Sequence, residues 1–193
     1  MVQIDEKQII EQVLGGRTDA FGLLVDRYGR MVFAVVARIV CVQQDAEEVA
    51  QDVFVTAFRR LEQYDGGYSF GTWLCRIAHN AAISFLRKAR RDRCLVDIDE
   101  ATMAQVTDAM ATETLSASGG DMKTLLRRAV DMLSADDRAL VTMFYYEGCQ
   151  LREIAYILDM PVDDKSVRTL ATRICRIRKR LYIIIRKMEA ETR

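Results

Sequence analysis

The sequence carries one proline, Pro161, and one histidine, His79, among 193 residues. It also has no convincing run of alternating apolar and polar residues. A strand shows a period of two, so that absence leaves helices as the regular element. Cys41, Cys75, Cys94, Cys149 and Cys175 make no CxxC and no zinc spacing with the lone histidine, so no metal site is expected. Five thiols without a framework fit reduced, buried or idle cysteines in a reducing cytoplasm. No apolar run is long enough to cross a membrane, and MVQIDEKQII lacks a signal-peptide pattern. The expected location is cytoplasmic, with no membrane insertion. No P-loop or glycine-rich nucleotide fingerprint is present, and no acid or nucleophile stands at a readable spacing from His79. The expectation is therefore no enzyme and no cofactor.

An excess of one charge is missing too, because 28 Lys and Arg balance 28 Asp and Glu. That excludes only a general polycation, since the field at a surface follows the local charge. Basic residues crowd into 76–93 and 165–187, acidic ones into 45–52 and 92–121. This asymmetry points to a nucleic-acid face and a separate protein-binding face.

What is present is helical periodicity. Helices are expected over 5–14, from a cap at Thr18 or Asp19 to Tyr28, over 31–41, and over 45–61. The last opens on an Asp45/Glu48 capping box and has a core face of Ala46, Val49, Ala50, Val53, Ala57 and Leu61. A loop, 63–69, broken by Gly66-Gly67, precedes a helix over 73–91. The stretch 92–120 is acidic, rich in Ala, Thr and Ser, and ends in SASGG, which reads as a linker with a partial helix near 101–110. Beyond it come helices over 122–133, from a Ser134 cap to Tyr146, over 151–158, and over 166–188 after the Pro161 turn. A short helix, a turn and a long basic helix make the helix-turn-helix pattern. The expected fold is all-α, with two small helical domains (1–91 and 121–193) joined by a flexible acidic linker (92–120). The second domain is the helix-turn-helix.

Three surfaces stand out. On the helix WLCRIAHNAAISFLRKARR (73–91), a 100° step puts Leu74, Ile77, Ala78, Ala81 and Phe85 on one face. Arg76, Asn80, Ser84, Arg87 and Arg91 fall on the other, together with Trp73. A tryptophan among cations suits stacking of unpaired bases and tracking of phosphates; a partly buried tryptophan is the plainer alternative. Tyr64, Tyr68 and Phe70 stand just before it, where an extruded base could lodge, although core packing is the simpler role for Phe70. The last helix has an apolar seam of Leu170, Ile174, Ile177, Leu181 and Ile184. Arg168, Thr172, Arg176, Lys179 and Arg180 lie elsewhere on it, suited to phosphates and base edges. The 45–61 helix turns Glu48, Gln51, Asp52 and Val55 outward near Phe54 and Phe58, a stripe that suits a protein partner or a solvated surface.

SFGTWLCRIAHNAAISFLRKARR resembles the promoter-melting region of bacterial RNA polymerase sigma factors, within the extracytoplasmic-function (ECF) group of the sigma-70 family. DAEEVAQDVFVTAFRRL resembles that family's preceding helix, and LSADDRALVTMFYYEGCQLREIAYIL the start of its C-terminal domain. The matches cover most of the chain in the right order. The resemblance implies a sigma region 2-like domain over 1–91 and a region 4-like domain over 121–193. It implies docking on the polymerase clamp through Asp45, Glu48, Gln51, Asp52 and Phe54, with the polymerase flap as a further contact. It implies opening of the minus-ten element, whose single strand would meet Tyr68, Phe70, Trp73, Arg76, Asn80, Arg87, Lys88, Arg90 and Arg91. Asn80 would read a base. The duplex minus-thirty-five element would meet Lys165, Arg168, Thr169, Thr172, Arg173, Arg176, Lys179 and Arg180. The linker would thread toward the polymerase active-site channel, and an anti-sigma factor would hold the protein inactive. PVDDKSVRTLATRICRIRKRL departs from the family by about five extra residues after Pro161, so either the turn is enlarged or the recognition helix starts early, near Ser166. A stand-alone helix-turn-helix regulator and a helical adaptor are the competing classes.

Overall fold

The structure, a computed structural model, describes the backbone of residues 5–96 and 122–191 and the side chains of 5–89, 91 and 122–190. Among the described residues there are eight α-helices and no strand. The first domain holds α1 (Glu6–Leu14), α2 (Phe21–Val40), α3 (Gln43–Arg59) and α4 (Phe70–Val96). The second holds α5 (Met122–Asp131), α6 (Ala135–Val141), α7 (Leu151–Ile157) and α8 (Asp164–Glu191). The linker expected over 92–120, with its partial helix at 101–110, lies outside the described residues from 97 onward. Its first residues, 92–96, continue α4.

Two helices expected around Tyr28-Gly29-Arg30 are one, α2. A helical glycine costs about 1 kcal/mol relative to alanine. Burial of Leu24, Val32, Val35, Val36 and Ile39 outweighs it, at about 1.5–3 kcal/mol per side chain. The Asp45/Glu48 capping box does not form. α3 opens two residues earlier, after an extended Val42, so Asp45 sits inside the first turn. There its charge complements the helix dipole without capping it.

α4 starts at Phe70 because Ser69 caps it, its hydroxyl accepting from the Thr72 N–H at 3.1 Å. The Glu6 carboxylate accepts from the Phe70 N–H at 3.4 Å and from the Tyr28 hydroxyl, tying α1 and α2 to this helix start. A Cβ on Gly71 would lie 3.0 Å from the Tyr28 ring, so only glycine admits that packing.

In the second domain Ser134 caps α6, accepting from the Asp137 N–H at 3.3 Å. The Asp137 carboxylate does not complete a box; it pairs with Arg173 of α8 at 2.8 Å. Glu153 reaches back to the Gln150 N–H at 2.7 Å and so fastens the start of α7. The turn into α8 contains Asp159, with φ of 54°, and ends where Asp163 accepts from the Ser166 N–H at 2.7 Å. The recognition helix therefore starts early, at Asp164. Leu170, Ile174 and Ile177 of its seam are buried, and Leu181 and Ile184 are half-buried.

The domains pack directly, α6 against α2 and α7 against α4, and their buried apolar residues join in one cluster. Arg138 of α6 stitches this junction. Its guanidinium donates to the Asp131 and Leu133 carbonyls (both 2.9 Å) and to the Arg38 carbonyl at the end of α2 (2.8 Å). One side chain thus satisfies orphan carbonyls at two helix C-termini, one in each domain.

Candidate nucleic-acid interface

α4 carries two cationic zones. Arg87, Lys88 and Arg91 are exposed along its C-terminal half, and the Arg90 side chain lies outside the described residues. Nearer its start, Tyr68, Thr72, Arg76 and Asn80 share the side that meets α7. There Tyr68 stacks on Tyr156, with ring centroids 4.2 Å apart. Thr72 donates to Glu153 at 2.9 Å. Arg76 pairs with Asp159 and lies over the Tyr156 ring at 4.6 Å. Asn80 donates to the same Asp159 carboxylate at 3.2 Å. The residues with the best chemistry for a base or phosphate are thus held by the other domain in this arrangement.

Two of the expected strand-binding residues sit elsewhere. Trp73 is only 9 % exposed and packs against Tyr64 and Phe70, with centroids 5.5 Å away in each case. Phe70 is fully buried among Tyr28, Tyr64 and Trp73. Neither ring offers a face to a base here, which corrects the surface placement of Trp73. The cause is the 63–69 loop, which brings Tyr64 over the side of α4 that a helical projection leaves open. His79 is buried on α4 as well, and burial pushes its imidazole below the ordinary histidine range.

On α8, Lys165, Arg168, Thr169, Thr172, Arg176, Lys179 and Arg180 are exposed and Arg173 is half-buried. Most of them line an open concavity of about 840 Å³ together with Asp137 and Ile177. Thr169 and Thr172 turn their hydroxyls to the carbonyls of Lys165 and Arg168, at 2.9 and 2.8 Å. Arg173 is engaged by Asp137, so it anchors α8 to α6 rather than standing free. The unpaired guanidinium forks on this face suit bidentate contact with phosphates and guanine edges.

α3 turns Glu48, Gln51 and Asp52 outward, with Val55 and Phe58 exposed beside them. Asp45 and Phe54 are half-buried at its flank. The result is an acidic stripe with an apolar component, on a side of the first domain separate from the α7 contact. Residues that sequence reasoning did not single out are those of the domain junction: Arg38, Arg138, Glu153, Tyr156 and Asp159. No local motif marks them, because each acts on a partner about 80 to 100 positions away.

Comparison with known proteins agrees with this architecture. The Sigma-70 region 2 family model matches residues 24–92, and the Sigma-70, region 4 model matches residues 123–181. The ECF RNA polymerase sigma-E factor of Escherichia coli K12 is 31% identical over 182 residues, covering 92% of each chain. Two solved structures share the fold, each with a TM-score of 0.63 and 21% identity. One is the sigma factor RpoE of Bartonella quintana in complex with the anti-sigma factor NepR, matched over 86% of this chain and 96% of that one. The other is CnrH in complex with the cytosolic domain of CnrY, matched over 93% and 96%. With both regions present in order and full-length similarity to a curated member, the chain belongs to the ECF RNA polymerase sigma factors of the sigma-70 family.

Proposed function

We propose that this protein binds core RNA polymerase through the α3 stripe of Asp45, Glu48, Gln51, Asp52 and Phe54 and directs promoter-specific initiation. Arg76 and Asn80 meet the opened minus-ten strand, with Asn80 reading a base and Tyr68 beside them. Arg87, Lys88, Arg90 and Arg91 hold the phosphates. Lys165, Arg168, Thr169, Thr172, Arg176, Lys179 and Arg180 meet the minus-thirty-five duplex in its major groove. Trp73 and Phe70 act from within the domain, as the packed base on which the Tyr64–Tyr68 loop rests. The observation that carries this reading is the pair of exposed basic faces, one on α4 and one on α8, each built on its own domain.

Sigma factors are in general not enzymes, and here the polymerase does the chemistry, in the cytoplasm, without a cofactor on this chain. Because Arg76 and Asn80 are held by Asp159, the domains must part before the minus-ten strand can enter. An anti-sigma factor that favours the closed pair would keep the protein inactive. The test is permanganate footprinting of polymerase complexes made with Asn80→Ala and Arg176→Ala. Asn80→Ala is expected to keep closed-complex binding and lose strand opening; Arg176→Ala is expected to weaken the closed complex first. Identical defects in both variants would refute the division of labour.

A further inference from the structure

Cys75 of α4 and Cys149, which immediately precedes the N-cap of α7, meet across the domain junction. Cys75 is buried and Cys149 is half-buried, and their thiols are hydrogen-bonded to each other. The Cys75 sulfur also lies 3.8 Å from the Met31 thioether, an alternative acceptor for its single S–H. The surroundings of the pair are rigid. Thr72–Glu153 and Arg76–Asp159 fix α4 against α7 on one side, and the Cys149 N–H is bonded to the Met143 carbonyl at 2.9 Å. No CxxC marks these cysteines, because 74 positions separate them and only the docking of the two domains unites them.

We infer that Cys75 and Cys149 are a peroxide-oxidisable dithiol whose disulfide locks the two domains in the closed arrangement. The asymmetry of the pair supplies the order of events. The hydrogen bond that Cys75 donates, followed by its burial, keeps Cys75 protonated; the same bond favours the thiolate on the more accessible Cys149. The Cys149 thiolate attacks a peroxide oxygen, the O–O bond breaks, and protonation of the leaving oxygen releases water and leaves a sulfenic acid on Cys149. The Cys75 sulfur then attacks the Cys149 sulfur, forming S–S and expelling a second water. The peroxide is reduced by two electrons and the two thiols are oxidised by the same two. A small dithiol reverses the bond by thiol–disulfide exchange. Cross-linked, α4 cannot leave α7, so Asp159 stays on Arg76 and Asn80. This consequence rests on the proposed roles of those two residues in holding DNA, whereas the bond itself does not.

The test treats the full chain with hydrogen peroxide, maps cross-linked peptides under non-reducing conditions, and measures binding to a single-stranded minus-ten oligonucleotide in complex with core polymerase. The expected result is a Cys75–Cys149 cross-link and a loss of oligonucleotide binding in proportion to the oxidised fraction, both reversed by dithiothreitol. Cys149→Ala, at the half-exposed position, is expected to fold, to bind the oligonucleotide, and to become insensitive to peroxide; Cys41→Ser and Cys175→Ser are expected to retain the response. Absence of the cross-link in protein that binds DNA when reduced would overturn the inference and leave the sigma reading intact. A cross-link in protein that binds no promoter strand even when reduced would keep the disulfide and refute the DNA roles. A cross-link that leaves binding unchanged would overturn the lock.

Discussion

Asp159→Ala should loosen the junction between the domains by a predictable amount. The carboxylate pairs with Arg76 and accepts from Asn80 at 3.2 Å. Both charged side chains keep solvent access, 37% for Arg76 and 50% for Asp159, so the Coulomb gain is screened. An ion pair of that kind contributes about 0.2–1 kcal/mol, and the amide adds a further weak bond. Removing both should cost about 1 kcal/mol of closed-state stability, roughly a fivefold rise in the ratio of open to closed protein. Cys75 reports that ratio, because it is buried at the junction and a thiol reagent reaches it when α4 and α7 part. Under reducing conditions, peptide-resolved labelling with N-ethylmaleimide should be about fivefold faster at Cys75 in Asp159→Ala than in the parent, within the uncertainty of that energy. Exposed Cys41 and Cys175 serve as internal references, and the uncharged reagent keeps the lost carboxylate from biasing the rate. Salt at about 1 M should narrow the difference by screening the parent pair. An unchanged Cys75 rate, with the references unchanged, would refute the account of Asp159 as a clasp.

Three further outcomes follow from the same geometry. Trp73→Ala removes a buried ring from the Tyr64–Phe70 cluster and should lower stability by about 3–5 kcal/mol in urea denaturation, where a surface tryptophan would leave the midpoint almost unmoved. Because burial lowers the His79 pKa, the unfolded chain takes up its proton at higher pH than the folded one. Its contribution is therefore fully present above the unfolded value of about 6.5 and is lost as pH falls below it, so His79→Gln should flatten the melting temperature between about pH 7 and pH 5 relative to the parent. Arg176→Ala should weaken binding to a minus-thirty-five duplex and reduce the magnitude of its log–log salt slope by about 1, if the guanidinium neutralises one phosphate.

The helical frame was readable because the seams repeat at three and four residues, as Leu170, Ile174 and Ile177 do, and burial follows that spacing. Helix starts were less readable. Ser134 caps as its position predicts, whereas the Asp45/Glu48 pattern is overridden by α3 opening after Val42. Trp73 shows why a single-helix projection falls short. Its place opposite Leu74 and Ala78 suggests a surface, but the loop returns Tyr64 to that side and makes a second buried face. The polar side of α4 was rightly read as unusual for packing, yet two partners suit it, nucleic acid and the Glu153–Tyr156–Asp159 edge of α7. Chemistry alone does not separate them, and periodicity carries no information about contacts some 80 positions apart. The cysteines read as idle illustrate the same limit, since Cys75 and Cys149 become a pair only once the domains dock.

The central claim, that this chain directs promoter-specific initiation, is tested most directly by run-off transcription. The purified protein is mixed with core RNA polymerase of its own host and a genomic promoter library, and the transcript starts are sequenced. The account predicts protein-dependent starts that share two upstream elements, lost together when the α3 stripe is reversed by Glu48→Lys with Asp52→Lys. Equal starts with and without the protein, or protein-dependent starts that share no upstream elements, would contradict it.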